Sequence, residues 1–235
     1  MTLEQPGASM TTTPGVSTGT RVSVPVRVRG LLGVGAHAPA APRPVVRDLR
    51  ERAGRSPRGL EFAHGDVVVI SGLPGSGKST LIRRAADGGG IDSQDTRDRW
   101  GARMPRLLPY AVYRPLVRAA HYAGLWRALR SGSGVIVHDC GTQSWVRRWL
   151  AHDARRRGRA LHLLLLDVTP AVARAGQRER GRGVSPYAFH RHRRAVSRLV
   201  RDAERGRLPA GCASATLLDR DAATVLKRIG FGKRD

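Results

Sequence analysis

The stretch VVVISGLPGSGKST (residues 67–80) combines three signals of local structure. Its first four residues are β-branched, which predicts a short buried strand. A glycine-rich turn follows, and the next residues, TLIRRAA, include several good helix formers. A strand, a tight turn and a helix in this order place backbone N–H groups at a helix N-terminus, where they favour an anion.

The turn fits the pattern G-x-x-x-x-G-K-[ST], from Gly72 to Ser79. In such a loop the backbone amides surround phosphate oxygens, Lys78 reaches the β- and γ-phosphates, and the hydroxyl of Ser79 coordinates Mg²⁺. The lysine is notable because the chain has 42 basic residues and only three lysines. A compact ammonium suits a closed loop better than a forked guanidinium. The predicted nucleotide ligands are Gly72, Gly75, Ser76, Gly77, Lys78, Ser79 and Thr80, with Ser79 also at the metal.

Composition limits the partners and the compartment. The net charge of +24 and the pI near 11.8 fit a polyanionic partner, and they equally fit a general preference for arginine. Aromatic residues make up only 5%, so the chain lacks the aromatic pattern of RNA-binding modules.

Cys140 and Cys212 form no C-x-x-C motif, which argues against a zinc site or a disulfide framework and favours the cytoplasm. The first residues lack the features of a signal peptide, and the apolar run at residues 161–166 is too short to cross a membrane.

The chain is predicted to have two regions. Residues 1–60 are rich in Thr, Pro, Gly, Ala and Arg, which predicts a largely disordered arm. Within it, alternating valines around Pro25 suggest an edge strand, and residues 49–60 suggest a short helix and a turn. Residues 61–230 alternate apolar strands with helical patterns, which predicts an α/β domain with a mostly parallel sheet between two helical layers.

Asp139 ends the apolar stretch VIVHD (residues 135–139). A carboxylate at the end of a strand beside the loop is suited to hold Mg²⁺ through its water ligands. The alternative is that Asp139 caps the following turn.

The segment IDSQDTRDRW (residues 91–100) contains three aspartates and two arginines. A kinase needs a carboxylate to take the proton of an acceptor hydroxyl, and an arginine can hold an anionic acceptor. The alternative is the solvated start of a helix, with Asp92 or Ser93 as its N-cap.

The most basic stretch is residues 176–207, in which Arg178, Arg180 and Arg182 stand among glycines. A mobile cationic loop of this kind can close over a nucleotide and neutralise charge on the phosphoryl group. The helix after it has one apolar face and one arginine-rich face, and the arginine-rich face fits a solvated surface.

Taken in order, GLPGSGKST, the Asp/Arg segment, VIVHDC, LHLLLLDV and QRERGRG resemble the P-loop kinases of the polynucleotide-kinase, gluconate-kinase and zeta-toxin type, many of which are called AAA family ATPases. The resemblance covers about residues 65–230. It implies a three-layer P-loop NTPase fold with a lid, and it implies ATP and Mg²⁺ as cofactors. It maps the base onto Asp95, with Asp92 as the rival and Asp98 as a third acid. It maps the acceptor-binding arginine onto Arg97 and the lid arginines onto Arg178 and Arg182, with Arg180 as an alternative.

The resemblance implies a kinase that transfers the γ-phosphoryl group of ATP to a hydroxyl of a small molecule or a nucleic-acid end. An alternative is an ATP-hydrolysing switch that binds nucleic acid through its basic surface, and a third possibility is a toxin-like kinase acting on a nucleotide sugar. The chain has no arginine-finger and sensor arrangement, so a monomer or small homo-oligomer is expected instead of a hexameric motor.

Overall fold

The computed structural model describes residues 44–86, 90–91, 96, 99, 102–103, 109–139, 143–181 and 183–232. Its strands are β1 (Val45–Asp48), β2 (Gly59–Phe62), β3 (Val67–Gly72), β4 (Gly90–Ile91), β5 (Val135–Asp139), β6 (Leu161–Leu166), β7 (Cys212–Leu218) and β8 (Arg228–Phe231). Its helices are α1 (Lys78–Ala85), α2 (Tyr110–Arg130), α3 (Ser144–Arg156), α4 (Pro170–Arg178), α5 (Pro186–Glu204) and α6 (Arg220–Val225). Residues 96, 99, 102 and 103 are also helical.

The central sheet has six strands in the order β1-β7-β6-β3-β5-β4. All of its described strand pairs are parallel. Every residue of β3 is buried, and β6 is a nearly unbroken run of leucines. Such continuous apolar strands are typical of parallel sheets that are covered on both faces.

An apolar layer lies on each face of this sheet. One contains Leu125 and Leu129 of α2, Leu150 of α3 and Phe189 of α5. The other contains side chains from α1 and α6 and from the small parallel sheet formed by β2 and β8. The prediction of a three-layer α/β fold with a mostly parallel sheet is therefore confirmed.

The folded part of the chain begins before residue 60. Strand β1 pairs with β7 from Val45 to Asp48, and Leu49 directly after it is 2% exposed. The sequence analysis had placed these residues in the flexible arm, because a four-residue edge strand gives little signal inside an arginine- and proline-rich stretch. The helix predicted at residues 49–60 is wrong: the chain turns there, with Glu51 and Ala53 at positive φ. The strand suggested around Pro25 lies outside the described residues.

Because the strands are parallel, their carboxyl ends meet at one edge of the sheet. Gly72 of β3 and Asp139 of β5 lie at that edge, and the register pairs Ser71 with Asp139. Crevices at this edge are where ligands bind in open α/β folds. None of the helices in the described residues is both long enough and apolar enough to cross a bilayer.

Candidate nucleotide-binding site

The turn between β3 and α1 depends on two glycines with left-handed backbone conformations. Gly75 has φ 88° and Gly77 has φ 98°, and Gly77 is the N-cap of α1. Residues with a side chain rarely adopt these angles. The cap makes no side-chain hydrogen bond, so the first backbone N–H groups of α1 are not capped by it and can bind an anion.

Lys78 is buried at the start of α1. It is 3% exposed, and its Nζ donates hydrogen bonds to the backbone carbonyl oxygens of Gly72 and Leu73, each at 2.8 Å. These bonds hold the ammonium against the backbone of the loop. The loop therefore contains a positive charge beside the start of the helix, and the contact of Lys78 with phosphates stays a prediction.

Three hydroxyl residues line the same turn. Ser76 and Ser79 are both buried, and Thr80 is exposed. The Oγ of Ser76 has no hydrogen-bond partner among the described residues. A buried hydroxyl without a partner is costly in a folded protein, and a bound phosphate would satisfy it.

Asp139 is 8% exposed at the end of β5. Its Oδ2 accepts hydrogen bonds from the Oγ of Ser71 at 3.0 Å and from the Nη1 of Arg147 at 2.6 Å. Helix α3, which follows, begins at Ser144 with Gln143 as its N-cap. The described contacts of Asp139 are thus with β3 and with the side of α3, so they do not support the alternative that this residue caps the turn.

The residues near the loop fit an Mg²⁺ ion. Mg²⁺ prefers oxygen ligands, keeps several waters, and needs only one or two carboxylates beside the phosphates. The hydroxyl of Ser79 and the Oδ1 of Asp139 are oxygen groups of this kind, and both donors named above reach Oδ2 instead of Oδ1. The described residues contain no cluster of three or more His, Cys, Asp or Glu side chains that could hold a metal ion.

Helix α4 packs directly on the loop. A Cβ placed on Gly176 would lie 2.5 Å from the carbonyl oxygen of Gly75. Gln177 donates from Nε2 to the carbonyl oxygen of Pro74 at 2.9 Å, and its Oε1 accepts from the backbone N–H of Val184 at 3.0 Å. One side chain therefore ties the phosphate-binding loop to both sides of the basic turn between α4 and α5.

Arg180 in the basic turn contacts helix α1. The Nη2 of Arg180 donates to the Oγ1 of Thr80 at 3.1 Å. Arg178, one of the two arginines first chosen from the sequence, lines a cavity of about 320 Å³ between α4 and α5 together with Arg174 and Phe189. Arg182, the other, lies outside the described residues. Arg180 is thus the lid candidate that the structure brings to the loop.

The acidic segment is described only in part. The positions of Asp92, Asp95, Arg97 and Asp98 lie outside the described residues, and their roles stay predictions. Within this segment Thr96 is buried, and Arg99 is exposed with its Nη2 3.5 Å from the Oγ1 of Thr96.

The sequence analysis missed Arg147 and Gln177. A signal for Arg147 exists, because it is a charged residue on the otherwise apolar stripe of α3 formed by Val146, Leu150 and Ala151. With so many arginines in the chain, that signal is weak. Gln177 has no sequence signal, since its role depends on the contact between α4 and the loop.

Comparison with known proteins gives one family match. The model of the AAA domain family matches residues 67–205, which is more than half of the chain. Among solved structures, a gluconokinase from Sinorhizobium meliloti 1021 aligns with 17% identity over 69% of this chain and 92% of that chain, with a TM-score of 0.39. The tunicamycin resistance protein of Deinococcus radiodurans aligns with 16% identity over 60% of this chain and 79% of that chain, with a TM-score of 0.33. No curated protein matches the chain.

Proposed function

Because the chain belongs to the AAA domain family, a family of P-loop NTPases, we propose that it is a kinase that binds ATP and Mg²⁺ and phosphorylates a hydroxyl group. The observation that carries this proposal is the closed loop around Lys78, with two glycines at positive φ and the ammonium held by loop carbonyls. This arrangement combines uncapped amides and a fixed cation, and both favour a polyphosphate.

The roles of the loop residues follow from their positions. The amides of Gly75 and of residues 77–80 bind phosphate oxygens, whereas the amide of Ser76 donates to the carbonyl oxygen of Leu73. Lys78 balances charge on the β- and γ-phosphates. Ser79 would hold the metal by its hydroxyl and Asp139 by its carboxylate. Bound ATP supplies the phosphoryl group, and bound Mg²⁺ neutralises charge that develops during transfer.

The lid arginine is Arg180 in this proposal. Its guanidinium contacts Thr80 in the first turn of α1, and Thr80 is one of the proposed nucleotide ligands. Charge-assisted bonds from a guanidinium to phosphate are strong and directional. Arg178 and Arg182 stay candidates for a closed form of the same turn.

The acceptor side rests on the sequence alone. We assign the general base to Asp95 and the acceptor-binding group to Arg97, with Asp92 and Asp98 as competing bases. A base within hydrogen-bond reach of the acceptor hydroxyl would take its proton as the phosphoryl group arrives.

The test is transfer of label from γ-labelled ATP to a panel of nucleosides, oligonucleotides, sugars and small alcohols. We expect label in one acceptor class, and Lys78→Ala should lower turnover at least about 100-fold by removing a charge that stabilises the transferring group. Lys227→Ala is the matched control, since Lys227 is an exposed lysine far along the chain from the loop. Asp95→Ala should bind ATP and transfer nothing. Failure of the wild-type chain to bind ATP with Mg²⁺ would overturn the proposal.

A second function is favoured by the charge of the chain. The outer face of α5 exposes Arg191, Arg194, Arg198 and Arg201, and the net charge is +24. A nucleotide-dependent switch could bind nucleic acid through this face. Its affinity would then fall steeply with salt, because each phosphate contact releases counterions. A kinase for a small molecule would bind neither single-stranded nor duplex DNA tightly at physiological salt.

A further inference from the structure

The ion pair between Asp139 and Arg147 is almost fully buried. The two residues are 8% and 6% exposed, and the Nη1 of Arg147 lies 2.6 Å from the Oδ2 of Asp139. A buried ion pair adds little net stability compared with apolar residues of the same size, because both charges lose their hydration. Stability alone therefore does not explain why this charged pair lies at the carboxyl end of β5, one strand from the phosphate-binding loop.

The geometry of Asp139 is restrained from two sides. Ser71 donates to Oδ2 from β3, and Arg147 donates to the same oxygen from α3. Two donors from different elements fix the rotation of the carboxylate. Neither of these two donors bonds Oδ1, so both hold the carboxylate through its other oxygen.

Arg147 is not placed as a purely structural arginine would be. The buried residues around it on α3 are Val146, Leu150, Ala151 and Ala154. Its Nε is buried without a hydrogen-bond partner among the described residues. A side chain kept only for packing or stability would be expected to use that donor as well. The hydrogen bond that Arg147 does make is the one from Nη1 to Asp139.

We propose that Arg147 is a positioning residue that orients Asp139 toward the Mg²⁺ of the nucleotide complex. This inference rests on the proposed function, because it needs a nucleotide and a metal at the loop. Groups that orient a metal-directed carboxylate commonly change metal affinity by about 10-fold to 100-fold when they are removed. Arg147 would accordingly set the Mg²⁺ requirement without contacting the nucleotide.

The experiment measures binding of a fluorescent ATP analogue in EDTA and during a titration with Mg²⁺. The variants are Arg147→Met, Arg147→Lys, Asp139→Asn and the double variant Asp139→Asn/Arg147→Met, and Arg148→Met is the control because Arg148 is the exposed neighbour on α3. We expect Arg147→Met to leave affinity in EDTA within about twofold and to raise the Mg²⁺ midpoint about 10-fold. The double variant should match Asp139→Asn alone, since Arg147 acts only through Asp139.

Two results would overturn the inference. One is an unchanged Mg²⁺ midpoint in Arg147→Met, and the other is an equal loss of affinity with and without metal, which is the mark of a structural role. If Arg147→Met does not fold, two other variants replace it. The double variant removes both buried charges together, and Arg147→Lys keeps the positive charge. Their Mg²⁺ midpoints are then compared in the same way. A wild-type chain that binds no nucleotide would contradict the proposed function. Variants that bind nucleotide with the same Mg²⁺ midpoint as the wild type would contradict only this inference.

Discussion

The backbone of Gly176 in α4 lies against the backbone of Gly75 in the phosphate-binding loop. A Cβ on Gly176 would be 2.5 Å from the carbonyl oxygen of Gly75, and a Cβ on Gly75 would be 2.1 Å from the carbonyl oxygen of Ala173. Real Cβ atoms do not approach backbone oxygens this closely, because the contact is far inside van der Waals distance. The helix that leads into the basic turn therefore supports the loop directly.

Gly176→Ala should weaken nucleotide binding. The new methyl group must push α4 away from the loop or displace Gly75 from its left-handed conformation, and either change misplaces the backbone amides. We expect the affinity for ATP to fall about 10-fold or more, which corresponds to about 1.4 kcal/mol. Isothermal titration with ATP and Mg²⁺ measures this change.

Gly124→Ala is the matched control for that variant. Gly124 is also inside a helix, α2, and a Cβ there would meet no heavy atom within 4 Å. Replacing glycine by alanine inside a helix stabilises it by up to about 1 kcal/mol. The control should thus raise the melting temperature and leave ATP affinity unchanged, and equal affinities in the two variants would show that the Gly75–Gly176 contact does not matter for binding.

Arg180→Ala should affect nucleotide binding more than Arg178→Ala. Arg180 donates to the Oγ1 of Thr80 on α1, whereas Arg178 lines the cavity between α4 and α5. In the proposed function Arg180 would make a charge-assisted contact to phosphate, and losing such a contact costs about 1.5–3 kcal/mol. Steady-state kinetics should show a fall in kcat/KM for ATP of at least about 10-fold for Arg180→Ala.

The exposed arginine Arg198 on α5 serves as the control for both lid variants. Arg198→Ala should leave kcat/KM for ATP within about twofold, because the charge of an exposed side chain is screened by salt. The reverse order, with Arg178→Ala the more damaging, would favour the lid assignment made from sequence.

How much the sequence predicts depends on the range of the interaction. The strand, the glycines of the turn and Lys78 belong to one continuous stretch, so their local pattern was sufficient to predict them. The strand that ends at Asp139 was predicted in the same way, and the metal-binding role of this residue stays a prediction. Arg147, Gln177 and Gly176 make their contacts with elements far apart in the chain, and no local pattern contains that information. Strand β1 was missed for a similar reason, since it gains its order from pairing with β7.

Arg50 joins three carboxylates, and Arg50→Ala should destabilise the fold. Its guanidinium lies 2.7 Å from Asp48 in β1, 2.6 Å from Asp167 after β6 and 2.9 Å from Glu204 at the end of α5. The side chain is 20% exposed, so screening by water is only partial. We expect the free energy of unfolding in urea at pH 7 to fall by about 1–3 kcal/mol.

The effect of Arg50→Ala should depend on pH. The hydrogen bond from Arg50 lowers the pKa of Asp48 below its ordinary value of 3.8. A carboxylate with a lowered pKa stabilises the folded state above its unfolded pKa, and this contribution is lost as the pH falls through the folded value. The difference between wild type and variant should accordingly shrink as the pH falls from 3.8 toward the lowered pKa of the folded state. A difference that stays constant from pH 7 to acid would show that Arg50 acts by packing instead of by charge.

Cys212 should react slowly with alkylating reagents in the folded protein. Burial raises the pKa of its thiol from 9.0 to about 11, and the charge of Arg147 offsets only part of this shift. At pH 8 the folded thiol should therefore be ionised about 100-fold less than in the urea-unfolded chain, and only the thiolate is nucleophilic. Peptide mass spectrometry after timed iodoacetamide labelling measures the rate at Cys212 separately from that at Cys140.

The raised pKa of Cys212 also predicts how stability depends on pH. The free energy of unfolding should be unaffected below about pH 9 and should fall by at most about 2–3 kcal/mol between pH 9 and 11, because only the unfolded chain ionises freely there. Cys212→Ala should abolish this part of the alkaline loss, whereas labelling at equal rates in the folded and unfolded chains would contradict the raised pKa of this half-buried thiol.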